Sequence, residues 1–255
     1  MRNLARVKIG LIGAGNMAGA LARGWDEPAL VFDVDRDRAA ALAEAIAGEV
    51  ATSNAELAQQ ADAVMLCHKP AQLADVAEEI RPHARAIVSI LGGVPVAAVE
   101  DAYPELPVYR FMPNQPVEVR RGVCCYAAGT RAADGPEDDI LALFGRLGRV
   151  VQLSDDDMQA ATAVMSCAPA WIALVAEALR DAGVRHGLDR DETQQLVAET
   201  VAGTGEMLAR AGVGPEELRR RVTSPGGLTE RGTAALEDGG LRTAFDAAVD
   251  AAVGA

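Results

Sequence analysis

Lysine is nearly absent: of 24 basic residues only Lys8 and Lys69 are lysines. A lysine at a particular place is therefore a question worth asking in a chain that otherwise carries its positive charge on arginine. Positive charge is itself in deficit, with a formal net charge of −13 and an isoelectric point near 4.7. Nucleic acid and anionic membrane surfaces would repel such a chain, so neither is expected as a partner. Aromatic residues make up only 4%. The four cysteines, Cys67, Cys124, Cys125 and Cys167, form no C-x-x-C pair, which excludes a zinc ribbon and gives no disulfide framework. No metal site is expected. There is no uninterrupted apolar run of about 18 residues, and the apolar stretch of MRNLARVKIGLIG is too short for a signal peptide. Reduced thiols and a cytoplasmic location are the expectation.

Half the residues are apolar, so a chain of this length can bury a proper core in one large domain or two smaller ones. Short β-branched runs, VKIGLIG (7–13), ALVFDV (29–34), DAVMLC (62–67), RAIVSIL (85–91) and PVYRFM (107–112), alternate with Ala/Leu/Glu-rich helical stretches. That alternation predicts a doubly wound parallel sheet of the α/β class, with a further strand pair at 122–129 and 148–153. After Ser154 the strand signals stop. Helices are expected at 156–183, 190–211, 215–223, 228–238 and 241–253, with Asp189 and Glu192 capping the second and Gly212 ending it. The expected organisation is a Rossmann-type domain over 1–153 and an all-helical domain over 154–255.

Gly13-Ala14-Gly15-Asn16-Met17-Ala18 follows an apolar strand directly and opens a helix. In that context Gly13 makes the tight turn, Gly15 lets backbone approach a pyrophosphate, and Ala18 is small enough for helix to pack on strand. Asp33 closes the next strand 20 residues beyond Gly13, where a carboxylate accepts the ribose hydroxyls of NADH and repels a 2′-phosphate. NADH is therefore the expected cofactor. NADPH remains possible through Arg36, whose acidic neighbours Asp35 and Asp37 make pairing or solvation the simpler fate. Other stretches fall at strand ends, where open α/β sheets bind ligands: His68-Lys69-Pro70, Leu91-Gly92-Gly93-Val94 and Met112-Pro113-Asn114.

The helical half carries VTSPGGLTERG from Val222, where Pro225, Gly226 and Gly227 interrupt a helical pattern. By spacing alone this is a corner capped by Ser224, or a helix start whose backbone N–H groups are wanted for an anion. The histidines have no carboxylate or cysteine at ligand spacing and read as structural. Asp155-Asp156-Asp157 reads as an acidic first turn of a helix.

Over essentially its whole length the chain resembles the pyrroline-5-carboxylate reductase family. GAGNMA, the Lys69-Pro70 pair, SILGGV and RFMPNQP are shared with it, and the specific matches are EALRDAGVRHGLDR (177–190) and VTSPGGLTERGTAALEDGG (222–240). The resemblance implies an NAD(P)H-dependent oxidoreductase acting on a cyclic imine carboxylate, with 1-pyrroline-5-carboxylate reduced to L-proline. It implies a nicotinamide near Lys69, Pro70 and Asn114, a substrate carboxylate received by Ser224, Pro225, Gly226 and Gly227, and a Thr229 hydroxyl serving the ring nitrogen. Thr229 and Lys69 are the catalytic candidates. A dimer or higher homo-oligomer built from the helical halves is implied as well. The chain departs from the family at Met165-Ser166-Cys167-Ala168, where relatives read S-G-S-G, and at Gln115 and Leu228. A related cyclic imine as substrate, or a regulatory homologue that kept the fold and lost the reaction, stays open at this point.

Overall fold

The computed structural model describes residues 7–210, 212 and 214–254. The amino-terminal end, on which the signal-peptide reading partly rests, and Ala211, the expected last residue of a helix, lie outside them. The chain divides into two compact units, up to Ser166 and from Cys167 onward.

The first unit alternates strand and helix as its sequence pattern requires. Its elements are β1 (Ile9–Ile12), α1 (Asn16–Trp25), β2 (Leu30–Phe32), α2 (Arg36–Ala45), β3 (Glu49–Val50), α3 (Asn54–Gln60), β4 (Ala63–Leu66), α4 (Leu73–Ile80), β5 (Ile87–Ser89), α5 (Val96–Ala102), β6 (Val108–Pro113), β7 (Gly122–Ala128), α6 (Glu137–Gly145), β8 (Gly148–Gln152) and α7 (Met158–Ala161). The eight strands form one sheet in the order β3-β2-β1-β4-β5-β6-β7-β8. β3 to β6 are mutually parallel neighbours, whereas β7 pairs with β6 antiparallel and with β8 in parallel. The order reverses at β1, and β1 and β4 splay the crevice in which such sheets bind ligands. β3 had no sequence signal: it is two exposed residues long.

Alternate residues of the central strands feed opposite faces. Leu11, Met65 and Val88 pack with α1, α2 and α6, while Ile12, Val64, Leu66 and Ile87 pack with α3, α4 and α5. That is the side-chain period of a strand buried on both sides. The scarce aromatics are concentrated on one face, where Phe111 lies between Phe144, at a centroid distance of 3.7 Å, and Tyr126, at 4.8 Å, and Trp25 meets Phe144 edge-on.

The second unit is helical: α8 (Ala168–Arg185), α9 (Arg190–Arg210), α10 (Pro215–Arg221), α11 (Leu228–Asp238) and α12 (Leu241–Val253). Asp189 caps α9, its Oδ1 accepting from the N–H groups of Asp191 and Glu192. Thr193 packs against Gly183, where a Cβ would come within 2.7 Å of its methyl group. Among the described residues of this unit only Thr193 and Leu218 are buried, and Ile172, Leu174, Val175 and Leu179 of α8 stay exposed. Met158–Arg185 is long and apolar enough, with a mean hydropathy of 1.6, to cross a membrane by length and composition. An unburied apolar face of this kind is a surface for another chain or for lipid.

Candidate active site

The glycine-rich turn is built by a backbone that only glycine adopts easily. Gly13 has φ +103° and donates its N–H to the Phe32 carbonyl at 2.7 Å. A Cβ on it would lie 2.7 Å from the carbonyl group of Cys67, so a side chain would part β1 from β4. Gly15 is the N-cap of α1 and has open space where a Cβ would be. α1 has no side-chain cap and no acid in its first turn, so the positive end of its dipole faces outward. Ala18, only 1% exposed, lets α1 lie close to the sheet.

A cavity of about 740 Å³ opens at the carboxyl ends of the strands. Gly13, Gly15, Asn16, Met17 and Ala18 wall it from the turn, Asp33 and Val34 from the end of β2, and Lys69 and Pro70 from the end of β4. All the expected cofactor residues are thereby brought together except Asn114, which is not in its wall. Asn54, the first residue of α3, and His68 also line the cavity; sequence reasoning missed the first, and placed the second at a strand end but read it as structural. Asn54 is 6% exposed and donates to Glu79 at 2.9 Å, yet its Oδ1 has no partner. His68 donates from Nδ1 to the Lys69 carbonyl at 2.9 Å and leaves Nε2 buried without a partner. Burial pushes the His68 pKa down, which keeps the ring neutral and Nε2 an acceptor. An uncapped helix head, a turn that admits backbone approach and an unpaired buried acceptor on the wall fit a dinucleotide. Asn54 directly follows Ser53, whose Oγ caps α3, and no sequence signal marked it.

Asp33 is 9% exposed and already engaged. Its Oδ2 accepts from the Ala14 N–H at 2.7 Å and its Oδ1 from the Asp35 N–H at 2.9 Å. Arg36, the expected alternative phosphate ligand, is held away: its guanidinium donates to the carbonyls of Ala51 and Thr52 and lies over the Phe32 ring.

Asn114 is locked by backbone. Its Nδ2 donates to the Met165 carbonyl at 3.0 Å and its Oδ1 accepts from the Val123 N–H at 2.9 Å, so the amide ties the turn after β6 to the segment around Met165. Met165 lies in a π-helical turn, Thr162–Cys167, in the segment that departs from the family pattern. Asp155 is likewise not a plain helix-start acid. It pairs with the buried Arg110 at 2.5 Å and accepts from the Val96 N–H at the head of α5.

In the helical unit Gly226 takes φ +71°, which explains a glycine there. The cap of α11 is Gly227, not Ser224 as the corner reading had it. Both glycine N–H groups are engaged: Gly227 donates to the Ser224 carbonyl at 3.0 Å and Gly226 to Glu230 Oε2 at 2.6 Å. The two N–H groups expected to receive a substrate carboxylate therefore have partners within the chain itself. An anion reaches the Gly226 N–H only by displacing Glu230, while the head of α11 has no side-chain cap. Thr229 is exposed in its first turn.

The doubly wound sheet, the glycine-rich turn and the cavity at its strand ends define a nicotinamide-dinucleotide oxidoreductase. A family model described as NADP oxidoreductase, coenzyme F420-dependent, matches residues 8–93, and one described as pyrroline-5-carboxylate reductase dimerisation matches residues 155–255. The chain belongs to the pyrroline-5-carboxylate reductase family. It is 35% identical to the pyrroline-5-carboxylate reductase of Methanosarcina acetivorans over 95% of this chain and 94% of that one. It is 34% identical to that of Pseudomonas aeruginosa, over 96% and 94%. The solved pyrroline carboxylate reductase of Plasmodium falciparum, with NADP bound, superposes with a TM-score of 0.85 at 28% identity, covering 99% of this chain and 97% of that one.

Proposed function

We propose that the protein reduces the C=N bond of 1-pyrroline-5-carboxylate to give L-proline, the closing step of proline biosynthesis, with NADH preferred over NADPH. The observation that carries the reading is the cavity at the strand ends, which gathers the glycine-rich turn, Asp33 and Lys69 in a chain whose helical half matches the family's dimerisation model. Bound NAD(P)H supplies the hydride.

The residues of this chain do the rest. Gly13, Gly15, Asn16, Met17 and Ala18 receive the pyrophosphate at the head of α1, and Asp33 receives the ribose hydroxyls. Lys69, Pro70 and Asn114 flank the reacting half of the cofactor, and the hydrogen bonds of the Asn114 amide also fix the turn after β6. The substrate carboxylate is received by Ser224, Pro225, Gly226 and Gly227 once Glu230 gives way, and the Thr229 hydroxyl orients the proton that ends on the ring nitrogen. The exposed apolar face of α8 is covered by a second copy, which makes the working unit at least a dimer. With a net charge of −13 neither nucleic acid nor an anionic membrane is a partner, and the cytoplasm is the location.

A second reading rests on Met165 to Ala168: a substituted pyrroline or a six-membered cyclic imine carboxylate as substrate. The test is NADH oxidation followed by absorbance with pyrroline-5-carboxylate and with its six-membered homologue, in the wild type and in Thr229→Ala. Turnover with the five-membered imine, lowered in Thr229→Ala while NADH binding holds, is the expected result. NADH binding with no turnover of either imine would point to the inactive regulatory homologue.

A further inference from the structure

Every residue of β6 is buried, and one of them, Arg110, carries a charge. Tyr109 and Phe111 pack on the side of α1 and α6, while Val108 and Met112 belong to the other face, which Arg110 shares by strand alternation. Its side chain is 7% exposed, and its Nη1 donates to Asp155 Oδ1 at 2.5 Å, just past the end of β8. The second oxygen of that carboxylate, Oδ2, accepts the Val96 N–H at 2.8 Å. Pro95 gives α5 no side-chain cap, so a distant aspartate takes its place. The elements so joined share one apolar cluster of Val96, Met112, Cys125, Ala127 and Met158.

A buried ion pair is a poor way to gain stability, because desolvation offsets most of the attraction. This one also leaves the Arg110 Nε buried without a partner, a further cost. Its geometry, however, is directional: a planar guanidinium and a two-oxygen acceptor fix β6, the head of α5 and the start of α7 against one another. Between β5 and α5 lies the Gly92-Gly93 turn, exposed, with Gly93 at φ +73° and no atom within 4 Å of a Cβ position on either glycine. It is held at its ends, by the Leu91 N–H on Ser89 Oγ at 3.3 Å and by Val96 at the ion pair. Beyond β6, Asn114 bonds the Met165 carbonyl. Arg110 to Asp155 and Asn114 to Met165 are thus two rungs between the same two stretches of chain. The turns they hold follow the carboxyl ends of β5 and β6, where open α/β sheets present ligands.

We propose that Arg110 and Asp155 are positioning residues for the hydride transfer. Neither lines the dinucleotide cavity; together they set the turn after β5 and the segment around Met165 against the end of β6, and so fix the distance over which the hydride moves. The proposal rests on the imine-reductase reading above. A misplacement of about 1 Å at the reacting atoms can cost about 100-fold in rate, so the pair should be felt in kcat more than in cofactor affinity. A pair that served stability alone would be felt in the melting temperature instead.

The test uses the full chain. Its central variant is Arg110→Met with Asp155→Asn, which removes both charges together and leaves an amide oxygen for the Val96 N–H. Arg110→Lys keeps the charge and loses the fork, and Arg131→Gln with Asp134→Asn neutralises an exposed pair as the control. Measured are the melting temperature, the Kd of NADH by fluorescence titration, kcat with the imine that the wild type turns over, and the isotope effect on kcat from NADH deuterated at the transferred hydrogen. The double variant should melt with the wild type and bind NADH within about twofold of it, while kcat falls about tenfold or more and the isotope effect rises as hydride transfer becomes the slow step. Arg110→Lys should keep an intermediate kcat, and the control should match the wild type. Wild-type kcat and isotope effect in the double variant would overturn the proposal and leave the functional reading standing. A double variant that does not fold, or that loses melting temperature and NADH affinity in step with kcat, would assign the pair to stability and overturn it too. A wild type that binds NADH and turns over neither imine sinks the functional reading itself, and the positioning role with it.

Discussion

Asp33 Oδ2 accepts the Ala14 N–H at 2.7 Å, so the residue expected to choose between cofactors also holds the turn that binds them. Replacing it by serine should therefore do two things at once. Wild type should favour NADH over NADPH in kcat/KM by about 10- to 100-fold, from one uncompensated close repulsion. Asp33→Ser should narrow that ratio while weakening both cofactors, by roughly 1–2 kcal/mol for hydrogen bonds lost to backbone. A wild type that prefers NADPH, or a variant whose ratio does not move, would remove Asp33 from the discriminating role.

Glu230 occupies the Gly226 N–H that we propose receives the substrate carboxylate. Glu230→Gln exchanges a charge-assisted bond for a weaker neutral one. The KM for the imine carboxylate should fall several-fold, an effect of order 1 kcal/mol, with the KM for NADH unchanged. An unaltered substrate KM would reduce Glu230 to a cap of α11.

His68 supplies a pH dependence. Its folded pKa is lowered by burial, so as pH falls through its ordinary value, about 6.5, the unfolded chain takes up a proton that the folded chain refuses. Stability should therefore be full above that range and decline below it, until the folded pKa is reached. Urea midpoints measured from pH 7.5 down to pH 5 should show this decline in the wild type and less of it in His68→Gln. Parallel pH profiles for the two proteins would assign the acid sensitivity elsewhere.

The helical unit buries only Thr193 and Leu218 among its described residues, far too little for helices of this length to be stable alone. Light scattering should give at least twice the chain mass of 26.5 kDa at micromolar concentration. Leu174→Arg with Leu179→Arg, which puts charge on the exposed face of α8, should lower the mass to the monomer value and the melting temperature with it. A wild-type monomer would contradict the assembly.

Periodicity determined most of the architecture. The strands β1, β2 and β4 to β8 and the helices of the second unit follow from alternation and from residues at three- and four-residue spacing, because each element's own buried face writes that pattern. The glycine-rich turn was legible for the same local reason: Gly13 at φ +103° is a demand of one residue's backbone. β3 was not legible, since two exposed residues carry no pattern and are held only by pairing with β2. What the sequence could not determine is where polar side chains spend their hydrogen bonds. Asn114 and Asp155 look available along the chain, and only the fold brings the Met165 carbonyl to one and Arg110 to the other. Arg36 and Arg38 stand two apart in one acidic run, yet carbonyls at Ala51 and Thr52 hold the first while the second lines the cavity. Such choices depend on partners far away in sequence, and burial settles them by making every unpaired polar atom costly.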